Sequence, residues 1–174
     1  KPPVPVVYNT GGYERVETLR MLDGQVQVYL PDLKYVDSAP AGRYSGAPDY
    51  PETAKAAILE MFRQTGPCRY GEDGMLKKGV IIRHLVLPGQ LEAAKEVMDW
   101  VAETFPPHTI LFSLMSQYTP WGKAADYPPL DRRLRKSEIR AAEAYFTNLG
   151  LDGFTQGVEA AQADYIPTFD LTGV

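Results

Sequence analysis

Short β-branched runs alternate with longer amphipathic segments along this chain, and that alternation constrains its fold more than any single motif does. "VPVVY" (4–8), "VQVYL" (26–30), "KGVIIRHLVLPG" (78–89) and "TILFSLMS" (109–116) read as strands, and "GFTQG" (153–157) as a short fifth. Between them lie "ERVETLRML" (14–22), "PETAKAAILEMFRQTG" (51–66), "QLEAAKEVMDWVAETF" (90–105) and "KSEIRAAEAYFTNLG" (136–150). Their apolar residues recur at helical spacing, as Leu91, Ala94, Met98 and Val101 do. Pro51 with Glu52 opens one helix and Gly66 closes it, while Ser137 is the expected N-cap and Gly150 the stop of another. Residues 36–50 are polar and broken by Pro and Gly, and read as a long loop. Strand–helix pairs repeated four times require crossover connections and a parallel sheet.

The near-continuous apolar run 78–89 predicts a strand covered on both faces. Two architectures satisfy this pattern: a doubly wound sheet, or part of a (β/α) TIM-like barrel. A whole eight-stranded barrel takes ~250 residues, so 174 residues supply only part of one. The pattern shows no internal linker, and the chain reads as a single domain over 1–174. The closing "DYIPTFDLTGV" is irregular but too aromatic to be left in solvent.

Composition removes several functional classes. A net charge of -4 lacks the basic face that general nucleic-acid binding requires. No apolar run approaches the ~20 residues of a membrane-spanning helix. Cys68 is the only cysteine, so no disulfide framework and no cysteine-rich metal site is available, and a reducing, cytoplasmic setting is expected. In a polar loop it reads as an incidental thiol.

In parallel α/β architectures sites gather at the carboxyl ends of the strands. There the sequence offers Asn9, Thr10, Gly11 and Gly12, then Asp32 and Lys34, then Ser116, Gln117 and Tyr118. Arg83 and His84 sit in the third run. Asn-Thr-Gly-Gly is either a tight turn or a close backbone approach to a ligand. Asp32 and Lys34 point the same way and are either a plain ion pair or half of a site. Arg83 in an apolar strand needs an acidic or phosphate partner. His84 faces away from it and reads as structural. No metal spacing, nucleophile elbow or phosphate loop is present. The residues thus imply a small-molecule site without naming a reaction.

Taken in order, "VVYNTGGY", "YLPDLKY", "GVIIRHLVLPG" and "LFSLMSQYTP" resemble the radical S-adenosylmethionine (SAM) enzymes, and among them the pyruvate formate-lyase activating enzyme group. The resemblance aligns these stretches with the third to sixth strands of that barrel, and the tail with that of less characterised relatives. It implies that Asn9 and Thr10 lie near the methionine moiety of SAM, although the activases carry an acid in place of Asn9. It places Asp32 and Lys34 at the ribose and methionine end, and Arg83, as the catalytic candidate, between cofactor and substrate. Gln117 stands where the activases have a histidine, and is expected among the cofactor-binding residues.

These enzymes hold a [4Fe–4S] cluster with a CxxxCxxC loop, and this chain has no such loop. The resemblance therefore implies the C-terminal part of a radical SAM oxidoreductase. The intact form would reductively cleave SAM and act on a substrate such as a glycyl-radical protein; the part alone is expected to be inactive. A strand edge left open by the missing part predicts homodimerisation. Two other readings stand beside this one: an aldolase-like barrel using Lys34 as a Schiff base, and a non-catalytic α/β binding domain in which Asp32 and Lys34 are paired and buried.

Overall fold

The computed structural model describes residues 4–156. Its strands are β1 (Val7–Thr10), β2 (Val28–Pro31), β3 (Arg69–Tyr70), β4 (Leu76–Leu85), β5 (Leu111–Met115) and β6 (Gly153–Gln156). Its helices are α1 (Val16–Met21), α2 (Ser38–Ser45), α3 (Tyr50–Thr65), α4 (Leu91–Thr104) and α5 (Lys136–Leu149), with a 3-10 turn at Gly122–Asp126. Five strands run parallel in the order β1-β2-β4-β5-β6, and β3 pairs antiparallel with β4. The parallel strands therefore follow one another in chain order, without the reversal of a doubly wound sheet. That is the arrangement of a barrel wall, and the expected partial (β/α) barrel is what the chain forms.

Strand periodicity divides the sheet into two unequal faces. Tyr29, Val80, Ile82, Phe112 and Leu114 are completely buried. They pack against Leu19, Ile58, Met61, Val97, Met98 and Val101 of the helices in one core. Each such side chain contributes about 1.5–3 kcal/mol on burial, so this helix-covered face holds the fold together. On the opposite face Leu30, Ile81, Leu85, Leu111 and Met115 are only half-buried, and Val7 and Phe154 are exposed. The strand Leu76–Leu85 is thus buried on its helix-facing side at Val80, Ile82 and His84 and half-buried on the other at Ile81, Arg83 and Leu85.

Four local expectations are corrected. The first strand lies at 7–10 rather than 4–8, set by its register against Val28–Pro31. The loop 36–50 contains α2, despite Pro40 and Gly42. Asp37 caps it by accepting from Ala39 N (3.0 Å), and Gly46 closes it in the left-handed region (φ 65°). Helix α5 starts at Lys136, before Ser137, because Glu138 reaches back to accept from the Arg135 backbone N–H (2.7 Å). A short hairpin folds β3 back on β4 where the sequence showed only a polar loop. The tail "DYIPTFDLTGV" lies outside the described residues.

Candidate functional site

Parallel register carries three polar side chains onto the half-buried face at the carboxyl ends of adjacent strands. Asn9 stands beside Leu30, and Asp32 is bridged directly to Arg83. Arg83 Nη2 donates to Asn9 Oδ1 at 2.6 Å and lies 2.6 Å from Asp32 Oδ1. The second approach lacks hydrogen-bond alignment and leaves Asp32 Oδ1 without a hydrogen bond, so Arg83 and Asp32 meet as charges. Lys34 Nζ completes the group by donating to Asp32 Oδ2 (3.0 Å). The cluster holds two cations and one carboxylate. Asp32 and Arg83 are 19% and 24% exposed and Lys34 47%, so the cluster is reached by solvent without being fully wet.

The frame beneath this cluster comes from residues that do not belong to it. The buried Tyr50, at the start of α3, places its hydroxyl between β1 and β2. That hydroxyl lies 2.9 Å from both Gly11 O and Asp32 O, which share its proton, and accepts from Lys34 N at 3.1 Å. Burial pushes the phenol well above its ordinary pKa, reinforced by the nearby charge of Asp32, so Tyr50 stays a donor. A Cβ on Gly12 (φ 80°) would run into the Asp32 carbonyl, so this turn requires glycine to close on β2. On the far side Leu33 N donates to Arg83 O (2.8 Å), and His84 Nδ1 lies 2.8 Å from Leu33 O. Burial lowers the His84 pKa to about 4. The ring is therefore neutral near pH 7, with its Nδ1–H facing the carbonyl.

The sheet brings together Asn9, Asp32, Lys34 and Arg83 from three strand ends. Thr10 turns to the helix side instead, where its hydroxyl donates to Glu14 Oε1 (2.7 Å) and accepts from Gly12 N (3.2 Å). Gln117 stands apart from the charged group, donating to Gln156 Oε1 at 2.8 Å. Ser116 is buried, and the Tyr118 hydroxyl donates to Leu130 O (2.7 Å). Tyr50 was missed because in sequence it is the last residue of the loop 36–50, whereas it opens α3 and its hydroxyl reaches both strand ends. Lys34 is ion-paired to Asp32 and half-exposed, whereas a Schiff-base lysine is activated by desolvation or by a second cation. The Asp32–Lys34 pair is not the buried one a non-catalytic domain would carry.

Buried polar atoms without partners mark where a ligand would be welcome. Among the described residues these are Asp32 Oδ1, Arg83 Nε, Ser113 Oγ, Ser116 Oγ and Gln117 Oε1. Ser113 lies beside Arg83 in register, so three of these atoms belong to neighbouring side chains on one face. This donor set suits SAM, whose amino-acid end offers a carboxylate for the cations and an ammonium for Asp32. An iron–sulfur cluster does not fit. No group of three metal-ligating side chains exists among the described residues. Cys68 lies beside Gly79 and Thr109, towards the amino ends of β4 and β5, and burial pushes its thiol pKa up.

No protein-family model matches the chain. It is 32% identical over 151 residues to the uncharacterized protein MJ0674 of Methanocaldococcus jannaschii. That alignment covers 86% of this chain and 40% of the relative, so the chain spans less than half the length of the curated relative it matches. Two solved structures share the fold. One is a domain of a pyruvate-formate lyase-activating enzyme from Bacteroides vulgatus, with TM-score 0.56 and 16% identity over 85% of this chain and 79% of that one. The other is a radical SAM methyltransferase from Sphaerobacter thermophilus, with TM-score 0.55 and 14% identity over 88% of this chain and 41% of that one. The chain therefore has a radical SAM-like fold, an α/β wall of parallel strands alternating with helices. No described helix is long and apolar enough to cross a membrane.

Proposed function

We propose that this sheet is the SAM-binding wall of a radical SAM enzyme of the pyruvate formate-lyase activating type, and that the thiolates for its cluster come from elsewhere in a longer polypeptide. The observation that carries the reading is the joining of Asn9, Arg83, Asp32 and Lys34 at three adjacent strand ends. They meet on the half-buried face of a sheet with a radical SAM-like fold. Arg83, held from one side by Asn9 and from the other by Asp32, presents a fixed guanidinium to a carboxylate. Lys34 adds a second donor, and Asp32 accepts from an ammonium or a ribose hydroxyl. Such an enzyme acts on SAM and then on a second substrate, of which a glycyl-radical protein is one. With Cys68 as its only cysteine, this chain by itself is expected neither to hold the cluster nor to cleave SAM.

Isothermal titration tests the binding half. SAM is expected to bind the chain, and Arg83→Ala or Asp32→Asn to weaken it at least tenfold. Affinity indifferent to both substitutions would remove the cluster from the site. Anaerobic reconstitution of the longer protein with iron and sulfide tests the enzyme half, and absence of a cluster there would refute the assignment.

A further inference from the structure

One position on the half-buried face breaks the apolar pattern around it. Ser113 belongs to that face, because Phe112 and Leu114 on either side of it lie in the helix-covered core. Its neighbours there are apolar: Leu111 and Met115 along β5, Phe154 beside it on β6, and Ile81 and Leu85 flanking Arg83 on β4. Ser113 is 1% exposed, and its Oγ has no hydrogen-bond partner. A hydroxyl taken out of water without a partner destabilises the fold that holds it, and a ligand that accepts its proton removes that cost.

The residue paired with Ser113 on β4 is Arg83, whose Nε is likewise buried and unpartnered. Arg83 Nη2 reaches Asn9 on β1, across the intervening β2, so the guanidinium leans away from β5. That lean satisfies the far end of the side chain. It leaves two unused donors, Nε–H and the serine hydroxyl, on residues that stand side by side in the sheet. Asp32 offsets one of the two neighbouring cations, so Arg83, Lys34 and Asp32 together keep a net positive charge. Two free donors, a positive field and an apolar surround suit a carboxylate attached to an apolar body.

We infer that Ser113 Oγ and Arg83 Nε seat the carboxylate of a second molecule, distinct from SAM, whose apolar part lies on Leu85, Met115 and Phe154. That this molecule is a second ligand rests on SAM occupying the Asp32–Lys34 edge; the seat itself does not. The charges allow both to bind. SAM sets one carboxylate against an ammonium and a sulfonium, so its arrival adds positive charge and favours a further anion beside it. Arg83 thereby serves two ligands, with its Nη end on the cofactor side and its Nε on the β5 side. Ser113 is the binding residue that distinguishes the second seat from the first.

Butyrate, a carboxylate on a short apolar chain, is the probe, and heteronuclear NMR of the intact chain gives the readout at Arg83 Nε–H and the Ser113 amide. Butyrate is expected to shift both signals saturably, and the neutral butyramide to shift neither. Ser113→Ala should weaken butyrate at least fivefold with Tm unchanged or raised, because the hydroxyl has no partner to lose. Arg83→Lys keeps the charge without the Nε–H and should weaken butyrate likewise, followed at the Ser113 amide. No saturable shift, an equal response to butyramide, or an affinity indifferent to Ser113→Ala would overturn the proposal. A lowered Tm for Ser113→Ala would also overturn it, by giving the hydroxyl a structural role. With saturating SAM present, butyrate should bind within threefold of its affinity alone. Displacement by SAM would assign the seat to the cofactor's own carboxylate and overturn the second ligand. A chain that binds butyrate but not SAM would refute the SAM-binding wall and keep the carboxylate seat, so the two failures are told apart.

Discussion

Replacing Tyr50 by phenylalanine isolates what one hydroxyl does for the whole site. The ring keeps its contacts with Tyr13 and Tyr35, at centroid distances of 5.7 and 5.9 Å, so packing is little altered. Lost are the bond from Lys34 N and the proton shared by Gly11 O and Asp32 O. Two hydrogen bonds at about 1 kcal/mol each give roughly 2 kcal/mol, and a Lys34 N–H left without a partner adds up to about 1 more. For a chain of this size that corresponds to a fall in Tm of roughly 5–10 °C. Urea unfolding followed by circular dichroism measures it, with Tyr13→Phe as the reference. That variant removes only an exposed bond to Asp49 (2.7 Å) and should cost less than about 0.5 kcal/mol. If the two variants prove equally stable, the β1 turn and the β2 end are held by something other than Tyr50.

The pH dependence and the sheet edge supply two further expectations. His84, buried with a pKa of about 4 against 6.5 unfolded, binds its proton more weakly in the folded state. Stability should therefore fall as pH drops from 6.5 to 4, by about 3 kcal/mol in all. Glu60 and Glu138, held down to about 2 by Arg63 and Arg132, lose their contributions only below pH 4.5. Urea midpoints at pH 7.5 and 5 should thus separate clearly, and His84→Gln should remove most of that separation. Among the described residues strand β1 is paired on one side only, with Val7 54% exposed. Light scattering of concentrated chain should show dimers that Val7→Lys disperses, and a monodisperse monomer would count against edge pairing.

Much of this architecture is legible in the sequence because two periodicities announce it. Alternation along 26–34 already put Asp32 and Lys34 on one face, and the same arithmetic set His84 opposite Arg83. The alternation did not say which strand residue would stand beside which. Only register decides that Arg83 meets Asp32 and reaches Asn9 while Thr10 turns away. Helix α2 was hidden because Pro40 and Gly42 argue against a helix, and its stability comes from the Asp37 cap, the buried Ala41 and contacts such as Tyr44 on Tyr127. Tyr50 was hidden for a different reason, since side-chain hydroxyl partners that lie 16 to 39 residues away leave no local signal.

The chain-order arrangement of the parallel strands has a consequence for how the molecule is made. Each new parallel strand finds its partner in the parallel strand synthesised before it, so no pairing waits for a strand made later. Such a wall can grow vectorially from the ribosome, one strand-and-helix unit at a time. It can also be lengthened by a unit at its β1 border without rethreading what has already folded.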